Sequence, residues 1–178
     1  CDHHDMQPWT LLRQTPGPCG YVTVATNTYR LPDGGEADWD ILTNGDTVAI
    51  LPVTPHNEIV LVRQYRPGPD RILDEMPGGA IEDGETPAEA AARELVEETG
   101  YEGQIQVVGS AWAAANSTRR RWAAVATNCT RTGPPMLDEG EFCEPTLVSL
   151  TDFRDHLRSG QLTDTDIGYL CLDHHGLL

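Results

Sequence analysis

The chain is expected to fold as an α/β protein, with a mixed sheet between helical layers and a small antiparallel sheet ahead of it. Three observations lead there. Between Cys19 and Tyr65, runs rich in β-branched and aromatic residues alternate with Gly/Pro/Asn/Asp turn clusters. An alanine-rich stretch with a start signal at Thr86 and a stop signal at Gly100 follows. Beyond it, strand-like and helix-like segments are mixed along the chain, the pattern of layered α/β architecture.

Taken in order, residues 19–30 (CGYVTVATNTYR) read as a strand, 31–35 (LPDGG) as a turn and 39–42 as the continuation of a meander. Residues 47–54 and 58–65 read as the first strands of the main domain, joined at Pro55, His56 and Asn57. After the alanine-rich helix, 104–113, 122–127 and 145–150 read as strands, and 152–158 and 164–172 as two short closing helices. There is no internal repeat or low-complexity linker. The expected division is an N-terminal β region, 1–46, and a main domain, 47–178.

The helix carries the chemistry. Thr86 is the expected N-cap, Pro87 takes the first helical position, Glu89 closes a capping box, and Gly100 ends the helix in the left-handed conformation. At about 100° per residue, Ala88, Ala91, Ala92, Leu95 and Val96 share one arc, and Glu94, Glu97 and Glu98 share its neighbour. Like charges at these spacings repel, so the acidic face is costly unless divalent cations sit on it. Hard oxygen ligands suit Mg²⁺ or Mn²⁺, which also bind phosphate oxygens. Arg93, four residues before Glu97, can steady a carboxylate with its fork of donors. Ahead of the helix, Pro77, Gly78 and Gly79, then Asp83 and Gly84, favour tight turns that bring backbone close to a ligand.

Composition narrows the partners. The net charge of −16 argues against a nucleic-acid polymer, whose phosphates are bound by positive surfaces. Small phosphate-bearing substrates fit if a metal ion supplies the positive charge. All 12 basic residues are arginine, which excludes Schiff-base and lysine-nucleophile chemistry. Five widely spread cysteines without a C-x-x-C pair fit reduced thiols in a cytoplasmic protein better than a disulfide frame or a zinc site. No apolar run reaches the roughly 18 residues of a membrane span. The opening CDHHDMQPWT lacks the apolar segment of a secretory leader, and Met6 is a candidate native start.

The stretch GAIEDGETPAEAAARELVEETGY holds Gly79, Glu85, Arg93, Glu94, Glu97, Glu98 and Gly100, with Leu95 and Tyr101 at the apolar positions. It resembles the Nudix box, G-x5-E-x7-R-E-U-x-E-E-x-G-U, at every specified position. LPDGGEADWDIL, VAILPVT, IVLVRQYRPG, ILDEMPGG, LDEGEFCEPTLVSL and SGQLTDTDIGYLCL resemble the ADP-ribose and ADP-sugar pyrophosphatase branch of that family. The resemblance implies a Nudix α/β/α sandwich, a small N-terminal antiparallel sheet and metal-dependent hydrolysis of a nucleoside diphosphate sugar. ADP-ribose, giving AMP and ribose 5-phosphate, comes first. ADP-glucose or GDP-mannose, or a non-catalytic ADP-ribose-binding regulator, are the alternatives.

Residue by residue, the resemblance implies a metal site of the Gly78 carbonyl with Glu94, Glu97 and Glu98, supported by Arg93 and Glu85. It implies substrate contacts from Arg66 in the RQYR motif and from Glu75 before the box. The general base is expected on the later acidic loop 138–141, with Glu141 first, Glu139 second and Glu97 third. Trp39 or Trp9 could stack on the base. Where the branch usually has a PGxS loop, this chain reads Ala114-Ala115-Asn116-Ser117, so Ser117 is kept as a substrate contact while the preceding turn is altered. The Arg119-Arg120-Arg121 run then offers either substrate contacts or salt bridges. A homodimer built through the N-terminal sheet is also implied.

Overall fold

A computed structural model describes residues 10–20, 22–138 and 141–178. Two compact units emerge. The first comprises the described residues up to Gly45 with Trp112–Arg119; the second comprises Asp46–Ala111 and Arg120–Leu178.

In the first unit, β1 (Thr10–Cys19), β2 (Thr23–Arg30) and β3 (Glu36–Leu42) form an antiparallel sheet in that order. The strand expected over 19–30 occupies Thr23–Arg30, and Cys19 instead ends β1, for which the sequence carries no strand signal. Pro16 and Pro18 mask it: proline cannot donate to a ladder and is confined to edges and bulges. β1 is an edge strand, and its register shifts between Pro16 and Cys19. The expected turn after Arg30 is present, with the Leu31 N–H donating to the Gly35 carbonyl at 2.8 Å and Gly34 at φ 86°. Trp112–Arg119 is tied to β3 because the Leu42 N–H donates to the Asn116 carbonyl at 2.8 Å and the Thr118 N–H to the Leu42 carbonyl at 2.9 Å.

The second unit has two sheets. β5 (Glu58–Arg66) lies between β10 (Cys143–Ser149) and β6 (Arg71–Glu75), all antiparallel. The other sheet runs β7 (Gly78–Ala80), β4 (Thr47–Pro52), β9 (Arg120–Arg131) and β8 (Tyr101–Trp112), with β4 and β9 parallel and β4 and β7 antiparallel. β7 falls where only a tight turn was expected. Helix α1 (Pro87–Thr99) packs on one face of β4, and α2 (Leu150–Ser159) and α3 (Thr165–His174) serve the other core.

Alternation along β4 and β9 divides these cores. Val48, Ile50, Ala124 and Ala126 join Ala90, Ala91 and Leu95 of α1. Ala49, Leu51, Ala123 and Val125 join Phe153, Leu157, Ile167 and Leu172 of α2 and α3. Both faces are therefore buried, and the two strands read as continuous apolar runs, as strands covered on both sides must. The result is the expected α/β/α arrangement with a mixed sheet. Among the described residues, no helix is long and apolar enough to cross a membrane.

The helix-start reading is realised in detail. The Thr86 hydroxyl accepts from the Glu89 N–H, the Glu89 carboxylate accepts from the Thr86 N–H, and Gly100 caps the far end at φ 70°. Gly100 is also required sterically, because a Cβ there would lie 2.2 Å from the Gly133 carbonyl oxygen. Losing an N-cap of this kind costs about 1 kcal/mol. Thr86→Ala should therefore lower the thermal midpoint by a few degrees while Thr86→Ser should not, as measured by circular dichroism melts.

Candidate active site

Burial on α1 falls on Ala90, Ala91, Glu94, Leu95, Glu98 and Thr99, while Ala88 and Ala92 are exposed. This corrects the expected apolar arc. The helix is rotated so that two acids lie on its buried side, against β7 and β4. The segment that receives them is built for close approach. A Cβ on Gly79 would sit 2.3 Å from the Glu94 Oε1, and one on Gly78 would sit 2.1 Å from the Val48 carbonyl oxygen.

Each buried acid is held. The Gly78 N–H donates to the Glu98 Oε2 at 2.7 Å. Arg93 Nη1 donates to the Glu94 Oε1 at 2.8 Å and to the Glu97 Oε2 at 3.0 Å. Its Nε and Nη2 grip the two Glu85 oxygens at 2.9 and 3.0 Å, and Nη2 also reaches the Ala80 carbonyl at 2.9 Å. Arg93 was expected to steady one carboxylate. It holds three, and its fork is fully committed to them and to the Ala80 carbonyl.

Desolvation raises the pKa of both buried acids. Burial pushes Glu98 up to about 8, the Gly78 N–H and Arg66 pull it back, and Glu94 and Glu141 add to the rise. Burial likewise raises Glu94, against the opposing pull of Arg93. Glu141 acts on both as a nearby like charge, so the structure brings the acidic loop into electrostatic range of the helix face. The Glu141 N–H donates to the Asp138 carbonyl and the Asp138 N–H to the Glu141 Oε2, at 3.1 and 3.2 Å. The Met136 N–H anchors this loop to the Glu97 carbonyl at 2.7 Å. Glu139, like Trp9, lies outside the described residues.

Arg66 stands beside this cluster. Its Nε is buried without a hydrogen-bond partner, as is Gln64 Nε2. Alternation on β5 puts the two side chains on one sheet face. Sequence reasoning passed over Gln64, although it lies inside the RQYR motif; nothing in the sequence shows that its amide is buried. Glu75 is fully buried and accepts from the Thr163 N–H and hydroxyl. Arg121 makes salt bridges to Asp164 and Asp166. In the first unit, Trp39 is 45% exposed on β3. The Ser117 hydroxyl accepts from the Arg119 N–H at 3.1 Å.

Among the described residues, no group of three or more His, Cys, Asp or Glu side chains is placed to hold a metal ion by itself. The donor set still suits Mg²⁺, which keeps several waters and takes one or two carboxylates plus substrate phosphates. Glu94 and Glu98, buried and destabilised as anions, offer hard oxygens where a cation would relieve the cost.

The NUDIX domain family matches residues 43–165. The chain belongs to the Nudix family. A 96-residue stretch of this Nudix protein is 40% identical to the ADP-sugar pyrophosphatase of Mus musculus, covering 48% of this chain and 44% of that protein. Over 71 residues it is 42% identical to the ADP-ribose pyrophosphatase of Bacillus subtilis (strain 168), covering 40% of this chain and 38% of that one. The match thus spans less than half the length of each of these curated relatives. A crystal structure of an ADP compounds hydrolase superposes with a TM-score of 0.79 over 98% of this chain and 99% of that one, at 22% identity, a likeness of fold. Nudix hydrolases generally need a divalent metal.

The buried acid gives this Nudix site a pH signature. Because folding raises Glu98 from the ordinary 4.5 to about 8, its contribution to stability is complete below about pH 4.5 and is lost as pH rises through about 8. In chelator-treated protein the thermal midpoint should fall as pH rises from about 4.5 to about 8, and Glu98→Gln should flatten that slope. Parallel slopes for the two proteins would show that Glu98 is not the group responsible.

Proposed function

We propose that the chain is a metal-dependent Nudix pyrophosphatase that hydrolyses a nucleoside diphosphate sugar, ADP-ribose first, to AMP and ribose 5-phosphate. The observation that carries this reading is one neighbourhood containing buried Glu94 and Glu98, the like charge of Glu141 and the opposite charge of Arg66. The named activities of the mouse and B. subtilis relatives support the substrate class. We place the protein in the cytoplasm on its five widely spread cysteines, which include no C-x-x-C pair.

Mg²⁺ or Mn²⁺ would be held by Glu94, Glu97, Glu98 and the Gly78 carbonyl, where it would supply positive charge for the pyrophosphate oxygens and acidify a water. Arg93 and Glu85 keep the helix acids aligned. The Arg66 side chain stays 34% exposed beside this cluster, and a guanidinium can meet a phosphate with two parallel bonds. Glu141 takes the proton from the attacking water, from a loop outside the helix face; Glu139 is the second candidate and Glu97 the third. Trp39 and Ser117 are proposed as contacts to the base and the sugar.

A panel of nucleotide sugars with product identification tests the reading directly. Glu94→Gln and Glu98→Gln should each remove most turnover at low Mg²⁺ while leaving the fold intact. Glu141→Gln should lower kcat by about 100-fold with little change in KM or metal affinity, the usual worth of a general base. An unaffected kcat in Glu141→Gln beside a collapse in Glu97→Gln would move the base to Glu97.

A homodimer formed through residues 1–46 belongs to the same proposal. A three-stranded sheet with this much exposed surface is marginal unless it packs on something larger. Leu11 and Trp39 are 50% and 45% exposed. Sedimentation at micromolar concentration should give a dimer, and an active monomer would rule the arrangement out.

A further inference from the structure

We propose that Glu75 is a positioning residue: its buried carboxyl group aims the Arg66 guanidinium at the pyrophosphate site and couples it to the turn between α2 and α3. The inference rests on the reading of Arg66 as a phosphate-binding group. It departs from the expectation that Glu75 contacts substrate itself, because Glu75 is 0% exposed.

The geometry runs in a chain. Val62, Gln64 and Arg66 alternate onto one face of β5, and Glu75 on β6 stands opposite Val62. From there its Oε2 reaches to 3.8 Å from Arg66 Nη2. The same oxygen accepts from the Thr163 hydroxyl at 2.5 Å, and Oε1 accepts from the Thr163 N–H at 3.2 Å. The turn bearing Thr163 is pinned on its other side, since Arg121 Nη1 donates to Asp164 at 3.0 Å. His156 of α2 fixes the neighbouring strand residue by donating its ring Nε2–H to the Asp74 carbonyl at 2.6 Å.

Chemistry separates this role from simple turn capping. Thr163 offers two neutral donors, which a buried neutral acceptor would satisfy at far lower desolvation cost. A carboxyl group is favoured there only by a cation, and the positive side chain paired with it is Arg66. The pair leaves Arg66 Nε without a partner. Glu75 thus holds one end of the guanidinium, while the Arg66 side chain as a whole stays 34% exposed to an incoming oxygen.

Glu75→Gln keeps the size and an acceptor for Thr163 while removing the charge that faces Arg66, so it isolates the proposed role. Turnover of ADP-ribose and the Kd of its α,β-methylene analogue would be measured in a cycle with Arg66→Ala. Glu75→Gln should lower kcat/KM by roughly tenfold and weaken analogue binding, as loss of an outer partner commonly does. The double variant should be no worse than Arg66→Ala alone, because the two act as one unit. Multiplying effects would overturn the proposal. If Glu75→Gln does not fold, Thr163→Val takes its place in the cycle with the same expectation, and Thr163→Ser should restore wild-type values. Wild-type protein that binds the analogue without cleaving any sugar would refute the proposed activity, yet the cycle would still be read in Kd. Wild-type protein that neither binds nor cleaves would overturn both.

Discussion

Burying two carboxyl groups of one helix against a strand of glycines is the constraint on which the second unit turns. Glu94 and Glu98 each lose water, and each would be expelled without compensation. The compensation comes from a backbone N–H at Gly78 and from a single guanidinium, Arg93, whose donors are divided among Glu85, Glu94 and Glu97. Arg93 also bonds the Ala80 carbonyl, so the same side chain ties the helix to the loop and strand before it. Loop, strand and helix are held as one piece by their charges, where apolar packing would ordinarily suffice.

The rest of the fold serves that piece. Alanines at 90, 91, 124 and 126 let α1 approach the sheet closely. The acids are thereby carried to a depth at which burial raises the pKa of both. On the other side of β4 and β9, the larger side chains of α2 and α3 supply bulk. The electrostatic strain is on the thin side of the sheet and the apolar mass is on the thick one.

Much of this was legible in the sequence. Thr86, Pro87, Glu89 and Gly100 marked the helix ends because capping is local chemistry, set by residues three or four apart. The apolar runs of β4 and β5 announced themselves by composition. The inward turn of α1 did not, since periodicity assigns acids to water, and only partners distant in sequence, Gly78 and Arg66, can overrule it. β1 was hidden by its prolines. Gln64 and the burial of Glu75 were hidden for the same reason as the helix rotation: strand alternation names a face but not what covers it.

The two-faced strands also decide where the chain can change length. Ile50 faces the alanine side and Leu51 the side of α2 and α3, and Ala124 and Val125 repeat the division on β9. One inserted or deleted residue inside either strand would shift its phase and exchange the contents of the two cores. Bulky side chains would then press on α1, where Gly79 and Glu94 leave no room for even a methyl group. Insertions and deletions are therefore tolerated only outside β4 and β9, and variation in length among related chains is expected in the loops that join the elements.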